Sequence, residues 1–208
     1  MSMDNILTRA NFVEEILTKT YPKIDIPLKH SDPFTLLMAV ILSAQCTDSQ
    51  VNRVTKELFQ RTSTPKDISK ISADELESII KPCGLFRTKT KAIKLLAEIL
   101  ISKFDGQVPK SMKELESLPG VGHKTASVVY SQAFGGYAFP VDTHIHRLAK
   151  RWGLSNGRNV IQTETDLKRL FDKTKWHDLH IRMILFGREF CKARGHSPDK
   201  CQICCKFI

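Results

Sequence analysis

The chain has 208 residues, of which 41% are hydrophobic and 26% are charged, a composition typical of a folded globular protein. Lys and Arg number 32 against 22 Asp and Glu, giving a formal charge of +10 that suits a polyanion partner, although charge alone does not exclude simple solubility. The N-terminus lacks the apolar core of a secretory signal, and the longest apolar run, 36–42, is too short to cross a bilayer. A cytoplasmic protein is therefore expected.

Apolar residues recur at helical spacing along almost the whole chain. Asp32 and Pro33 supply an N-cap and a first-turn proline for a strongly apolar helix over 34–44, and the sequence TDSQ at 47–50 has the form of a capping box for the next helix. No stretch of useful length alternates as a β-strand would, so an all-α fold of many short helices is predicted. Further helices are predicted over 73–80, 90–104, 112–118, 124–134, 143–152, 163–171 and 178–190.

Residues 118–126, with the sequence LPGVGHKTA, are the most informative stretch of the chain. A loop with two glycines can turn sharply between helices and leave backbone N–H groups exposed at the start of the next helix, where the helix dipole favours an anion. Gly120, Val121 and Gly122 are therefore predicted to contact a DNA phosphate without reading the base sequence. A plain tight corner between two helices is the alternative interpretation.

The string at 118–126 resembles the helix-hairpin-helix of the DNA glycosylase superfamily, and the chain from about Asn11 to Cys204 resembles the endonuclease III family. Shorter matches occur in the same order: LSAQ at 42–45, GL at 84–85, GQVP at 106–109 and VDTH at 141–144. The resemblance implies a six-helix domain at 27–136 that carries the hairpin, a second helical domain from 1–26 and 137–208, and a DNA-binding groove between them. The resemblance also implies a nucleoid-associated monomer acting on double-stranded DNA with damaged bases or abasic sites.

The resemblance also implies the chemistry of a DNA N-glycosylase with abasic-site lyase activity, with oxidised pyrimidines as the expected substrates. Lys124 matches the family's nucleophile, which attacks C1′, expels the base and cuts the strand by β-elimination through a Schiff base. Lysine attacks only as the free amine, and the positive end of the helix dipole suits that form. Asp142 matches the carboxylate that promotes the attack. A solvated lysine and an N-cap for the helix over 143–152 are the alternative roles.

Three further residues are assigned to DNA by the same resemblance. Gln45 and Leu85 match the positions that fill the gap left by a flipped base, and each lies beside a predicted helix break, where a buried or capping role is equally compatible. His144 lies one turn from Asp142 and is interpreted as structural or phosphate-contacting. Five basic residues are expected to be solvated and to face DNA: Lys89, Lys91, Arg147, Lys150 and Arg151.

Four of the six cysteines fall in the last eighteen residues, which in a reducing cytosol indicates a metal or cluster rather than disulfides. The family pattern, C-x6-C-x2-C-x5-C, holds a [4Fe-4S] cluster with four thiolates. Here nine residues separate Cys191 from Cys201, and Cys204 follows after two more. The resemblance implies a [4Fe-4S] cluster on these three cysteines, with Cys205 or His196 as the fourth ligand. A Cys/His zinc site and a tail without metal are the alternatives.

Two other functions stay open at this point. A superfamily glycosylase with another base preference, such as 8-oxoguanine, would share the fold, although the cysteine-rich tail argues against it. A helix-hairpin-helix module that binds DNA without cutting it would share the hairpin but would form no covalent adduct. Trapping with borohydride separates this module from an enzyme.

Overall fold

The computed structural model of the protein describes residues 3–207, and every regular element in that range is helical. The predicted all-α fold is therefore confirmed. No helix among these residues is both long and apolar enough to cross a membrane. The α-helices are α1 Met3–Thr20, α2 Pro33–Leu42, α3 Asp48–Arg61, α4 Pro65–Lys70, α5 Ala73–Ile80, α6 Phe86–Phe104, α7 Met112–Glu116, α8 His123–Phe134, α9 Thr143–Arg151, α10 Val160–Leu170 and α11 Trp176–Glu189.

The chain divides into two compact units, each with a hydrophobic core of its own. The hairpin unit is Ile26–Gly136, and the terminal unit joins the chain up to Asp25 with the chain from Tyr137 onward. The hairpin unit contains seven α-helices, α2 to α8, where six were expected. The sequence analysis did not predict α4, because this helix has only six residues and buries only two of them.

Helix α2 lies at the centre of the hairpin unit. It begins at a capping box, in which the Asp32 carboxylate accepts from the N–H groups of Phe34 and Thr35, each at 2.9 Å. Nine of its ten residues are buried, and it packs against α3, α6 and α8. The helix ends two residues earlier than predicted, because the chain turns through left-handed backbone at Gln45, where φ is +56°.

The terminal unit packs α11 against both α1 and α9, and α9 against α10. Trp152 and Phe186 are fully buried at its core, and their ring centroids lie 5.8 Å apart in edge-to-face geometry. Three of the tail cysteines are buried in the same core, and Asp142 stands at the start of α9. Both features that the sequence singled out in this unit are therefore attached to one packed core.

Candidate functional site

The loop between α7 and α8 forms a tight hairpin. Leu118 and Val121 are buried, and the N–H of Val121 donates to the carbonyl of Leu118 at 3.1 Å. Between them, Gly120 has a φ of +76°, and a Cβ atom there would lie 3.0 Å from the Cβ of Ala92. Gly122 has an ordinary φ of −88° and open space around it. The turn therefore requires the first glycine, whereas the second leaves the surface free of a side chain.

Helix α8 begins with uncapped backbone donors. Its N-cap residue, Gly122, has no side chain to accept a hydrogen bond, and the N–H of Ala126 donates to the Gly122 carbonyl at 2.9 Å. The N–H groups of residues 123–125 therefore have no carbonyl partner within the helix. Lys124 is the second residue of α8 and is partly exposed. An anion at this helix start would meet the backbone donors and the Lys124 side chain together.

Gln45 and Leu85 both lie on turns with left-handed backbone. Gln45 follows the end of α2 with a φ of +56°, and Leu85 directly precedes α6 with a φ of +49°. Both side chains are exposed, Leu85 to 52%. Left-handed backbone costs a residue with a side chain roughly 1–2 kcal/mol, and such strain is concentrated at functional sites. An exposed leucine on a strained turn is better explained by contact with a partner than by packing.

The expectation that Lys89 faces solvent is wrong. Lys89 is 5% exposed, and its Nζ donates to the carbonyl oxygens of Leu42 at 2.9 Å, Ala44 at 2.8 Å and Cys83 at 2.9 Å. Burial lowers the pKa of Lys89. The three N–H donors of the ammonium group are all used, so the charge is buried with its hydrogen bonds satisfied. All three acceptors are backbone carbonyls, and no sequence pattern could have revealed this contact.

Asp142 is the N-cap residue of α9, as the structural interpretation of this residue predicted. Its Oδ1 accepts from the N–H of Ile145 at 2.9 Å, and its Oδ2 accepts from Nδ1 of His144 at 3.0 Å. Burial raises the pKa of this carboxyl group, but the two hydrogen bonds and the charges of His144 and His180 outweigh burial and hold the pKa below its ordinary value. Asp142 is therefore a fixed, ionised carboxylate at neutral pH.

Sequence reasoning missed His180. This residue of α11 is 4% exposed, and its Nδ1 donates to the carbonyl of Pro140 at 2.7 Å, two residues before Asp142. The charge of His180 also lowers the pKa of Asp142. A histidine on the buried face of an apolar helix resembles any core histidine, so its type and spacing carried no signal.

Four residues of the cysteine-rich tail converge on one point. The Sγ atoms of Cys191, Cys201 and Cys204 and a ring nitrogen of His196 all lie within 4.8 Å of one another. The Sγ of Cys191 lies 3.7 Å from both the Sγ of Cys204 and the Nε2 of His196. Cys205 is exposed and lies outside the group. The group is compatible with a bound metal, and its fourth member is His196, not Cys205.

Two more residues of the basic set differ from expectation. Arg147 and Arg151 are partly buried against this group: Arg147 donates to the Cys191 carbonyl, and Nη1 of Arg151 lies 3.2 Å from the Cys191 Sγ. Helix α9 thus brings both guanidinium groups to the metal-binding candidate. Lys91 and Lys150 are exposed, as expected.

The chain is similar in sequence to known proteins over most of its length. Residues 38–173 match the family profile of HhH-GPD superfamily base excision DNA repair proteins. The chain is 43% identical to endonuclease III of Bacillus subtilis (strain 168) over 198 residues, which cover 95% of this chain and 90% of that protein.

Two solved structures are also similar over nearly the whole chain. A non-covalent endonuclease III–DNA complex matches with a TM-score of 0.91 at 42% identity, covering 95% of this chain and 92% of that one. A trapped endonuclease III–DNA covalent intermediate matches with a TM-score of 0.90 at 41% identity, covering 96% of this chain and 97% of that one. The similarity therefore includes both units of the fold.

Proposed function

This chain belongs to the endonuclease III family within the HhH-GPD superfamily of base excision DNA repair proteins, and we propose that Lys124 is its nucleophile and Asp142 the carboxylate that assists. The protein is a DNA glycosylase and abasic-site lyase, with oxidised pyrimidines in double-stranded DNA as the proposed substrates and the nucleoid as its proposed location. The observation that carries the assignment is the position of Lys124, a partly exposed lysine in the uncapped first turn of the hairpin's second helix.

The reaction begins with the free amine of Lys124. Nζ attacks C1′ of the damaged nucleotide, and the bond between C1′ and the base breaks with its electron pair leaving on the base. The sugar ring then opens, O4′ takes a proton, and an imine forms between Nζ and C1′. The imine makes the C2′ hydrogens acidic. Loss of one of them as a proton breaks the C3′–O bond, and the 3′ phosphate leaves with the electron pair.

Asp142 supplies a fixed negative charge to this reaction. Its two hydrogen bonds, from the Ile145 N–H and from His144, hold the carboxylate in one orientation and keep it ionised. A carboxylate in this state can accept the proton that Lys124 must lose, or stabilise the positive charge that develops on the sugar. Its N-cap role supports this function, because the cap fixes the group that the chemistry needs.

The DNA contacts are assigned to backbone donors and to two exposed side chains. The backbone N–H groups in the first turn of α8, together with Gly120 and Gly122, bind a phosphate without regard to base identity. Gln45 and Leu85 fill the space that a flipped nucleotide leaves in the duplex. His144 can reach a phosphate only through Nε2, because its Nδ1 is bound to Asp142.

A metal is proposed for the group formed by Cys191, His196, Cys201 and Cys204. The [4Fe-4S] cluster that the resemblance implies is held by four thiolates, each bound to a different iron. The four donors here include only three thiols, the fourth being an imidazole, and all lie within 4.8 Å of one another. The donors do not fit a cluster of this kind, and no step of the reaction is assigned to one.

Borohydride trapping tests the assignment of Lys124. Borohydride reduces the imine and fixes the protein covalently to abasic DNA, so the wild-type chain should form an adduct. Lys124→Ala should form none, yet should still bind abasic DNA because the backbone donors of α8 remain. Lys103→Ala, which removes an exposed lysine of α6 outside the basic set expected to face DNA, is the matched control and should be trapped normally. An undiminished adduct in Lys124→Ala would exclude Lys124 as the nucleophile.

A panel of damaged duplexes tests the proposed substrates. Release of an oxidised pyrimidine should be faster than release of 8-oxoguanine from the same sequence context. The reverse order would indicate that the enzyme prefers another damaged base, and the assignment of Lys124 would not be affected.

A further inference from the structure

We propose that Cys191, His196, Cys201 and Cys204 bind a single structural Zn²⁺ ion in place of an iron–sulfur cluster. The chemistry of the donor set points to zinc, because three thiolates and one imidazole form a common structural zinc site. The spacing along the chain, C-x4-H-x4-C-x2-C, places a C-x2-C pair at its end, which is also typical of such sites.

The distances between the donor atoms agree with one ion. A tetrahedral Zn²⁺ with Zn–S bonds of about 2.3 Å holds two thiolate sulfurs about 3.8 Å apart. The Sγ atoms of Cys191 and Cys204 are 3.7 Å apart, and the Cys191 Sγ and His196 Nε2 are separated by the same distance. All four donors are within 4.8 Å of one another, so each can reach a common centre with small movements.

The contacts around the donors are those of an oriented metal site. The Nε2 atom of His196 faces the Cys191 Sγ at 3.7 Å. The guanidinium of Arg151 lies 3.2 Å from the Cys191 Sγ and offsets the negative charge that three thiolates bring.

Zinc at this point would fasten the end of the chain to the core of the terminal unit. Three of the ligands are buried, and the segments between them, 192–195 and 197–200, are exposed. These segments hold few apolar residues that could fix them by packing. The metal therefore supplies the cross-link that holds the segments, which carry the exposed residues Lys192, Arg194 and Lys200.

Metal analysis of the full chain tests the proposal. The chain is purified anaerobically, treated with chelator, and offered either Zn²⁺ or ferrous iron with sulfide. About one zinc per chain should bind and the protein should stay colourless, whereas iron and sulfide should give no stable visible absorption. About four irons per chain with a brown colour would overturn the proposal, as would a chain that retains neither metal.

Variants and a coloured probe locate the ion. Co²⁺ titrated into the chelator-treated wild-type chain should give the visible bands of a tetrahedral thiolate site. Cys204→Ser and His196→Ala should lower the affinity for Co²⁺ at least about 10-fold, as loss of a ligand contact does. Cys205→Ser, which changes an exposed cysteine outside the group, should leave the affinity unchanged. An equal loss in Cys205→Ser would overturn the ligand assignment. None of these measurements depends on the Lys124 chemistry.

A second, independent observation assigns a positioning role to Lys89. We infer that its ammonium group fixes the two turns that carry Gln45 and Leu85. Two of its three acceptors, the carbonyls of Leu42 and Ala44, lie at the end of α2 immediately before Gln45. The third, the carbonyl of Cys83, lies two residues before Leu85.

The physical reason is that one buried ammonium group donates hydrogen bonds to backbone carbonyl groups of both turns. The carbonyl groups at the end of a helix have no partner within it and favour a positive charge. Lys89 uses each of its three donors on a different carbonyl, so displacing either turn would leave a buried ammonium with an empty donor. The left-handed backbone at Gln45 and Leu85 is thereby held without packing of either exposed side chain. This inference rests on the proposed DNA contacts of these two residues.

Lys94 provides a matched control within the same unit. Its Nζ also donates to three backbone carbonyls, those of Ile68, Ser69 and Ile71, at 2.7–3.0 Å. Lys89→Met and Lys94→Met should therefore both lower the melting temperature by about 5 °C or more.

Hydrogen exchange and DNA binding separate the two lysines. Lys89→Met should speed amide exchange at residues 43–47 and 83–86 and weaken binding to abasic DNA at least about 10-fold, whereas Lys94→Met should do neither. Equal effects of the two variants on exchange at these turns would overturn the inference. Faster exchange with unchanged DNA binding would keep Lys89 as the anchor but reject the proposed contacts of Gln45 and Leu85.

Discussion

The Nδ1 atom of His144 donates to the Oδ2 atom of Asp142 at 3.0 Å, so a residue predicted to contact DNA also contacts the proposed catalytic carboxylate. The two residues lie at the start of α9, where Asp142 caps the helix through the N–H of Ile145. Each Asp142 oxygen thus has a different donor. The charge state of Asp142 is therefore set by its own helix as well as by the charge of His180.

Asp142→Asn separates the catalytic role of this residue from its capping role. Asparagine keeps the size and the ability to cap, but it has no charge to assist Lys124. Base release should fall about 10²–10⁴-fold, as expected for loss of a general acid–base group, with little change in melting temperature. Single-turnover assays and thermal unfolding measure the two effects. Normal turnover with a lower melting temperature would mean that Asp142 acts only as the N-cap of α9.

His144→Ala should shift the acid limb of the activity profile to higher pH. The variant loses the hydrogen bond and the charge that lower the pKa of Asp142, so Asp142 will be protonated at a higher pH than in the wild-type chain. The rate of base release is measured against pH under single-turnover conditions. His146→Ala is the control, because His146 bonds to Thr163. If the acid limb of His144→Ala is the same as in the wild-type chain, His144 does not lower the pKa of Asp142.

Asp142 should also contribute to stability in acid. Its pKa is lower in the folded chain than in the unfolded one, so its contribution to the free energy of unfolding is present above about pH 4 and disappears as the pH falls through the folded pKa. Urea unfolding at a series of pH values from about 5 downward should show a steeper loss in the wild-type chain than in Asp142→Asn. Parallel curves would mean that the folded state does not lower this pKa.

The two glycines of the hairpin should respond differently to alanine. Gly120→Ala forces a side chain into positive φ and brings its Cβ to 3.0 Å from Ala92, so it should reduce the free energy of unfolding by about 1–3 kcal/mol. Gly122→Ala meets open space at an ordinary φ and should change stability by less than about 1 kcal/mol. Its methyl group should instead weaken DNA binding, measured by fluorescence anisotropy. Intact binding in a stable Gly122→Ala would argue against phosphate contact there.

Local features of the site could be predicted from the sequence. The N-cap at Asp32, the N-cap at Asp142 and the start of α8 next to Lys124 were all readable, because each depends on side chains and backbone groups a few residues apart. The resemblance to a family added the proposed roles of Lys124 and Asp142. The sequence also indicated a metal-binding tail, from its concentration of cysteines.

The sequence by itself therefore determined the helices, their caps and the types of reactive residue that are present. Helices and caps depend on backbone sterics and on hydrogen bonds within one turn, which are local in the chain. Only the tertiary structure decided which charges are buried and which donors meet. Lys89 reaches a carbonyl 47 positions away, and Arg151 reaches a sulfur 40 positions away. His196, not Cys205, joins the tail cysteines. These contacts depend on how helices pack, because a buried charge is stable only where packing brings enough partners to satisfy it.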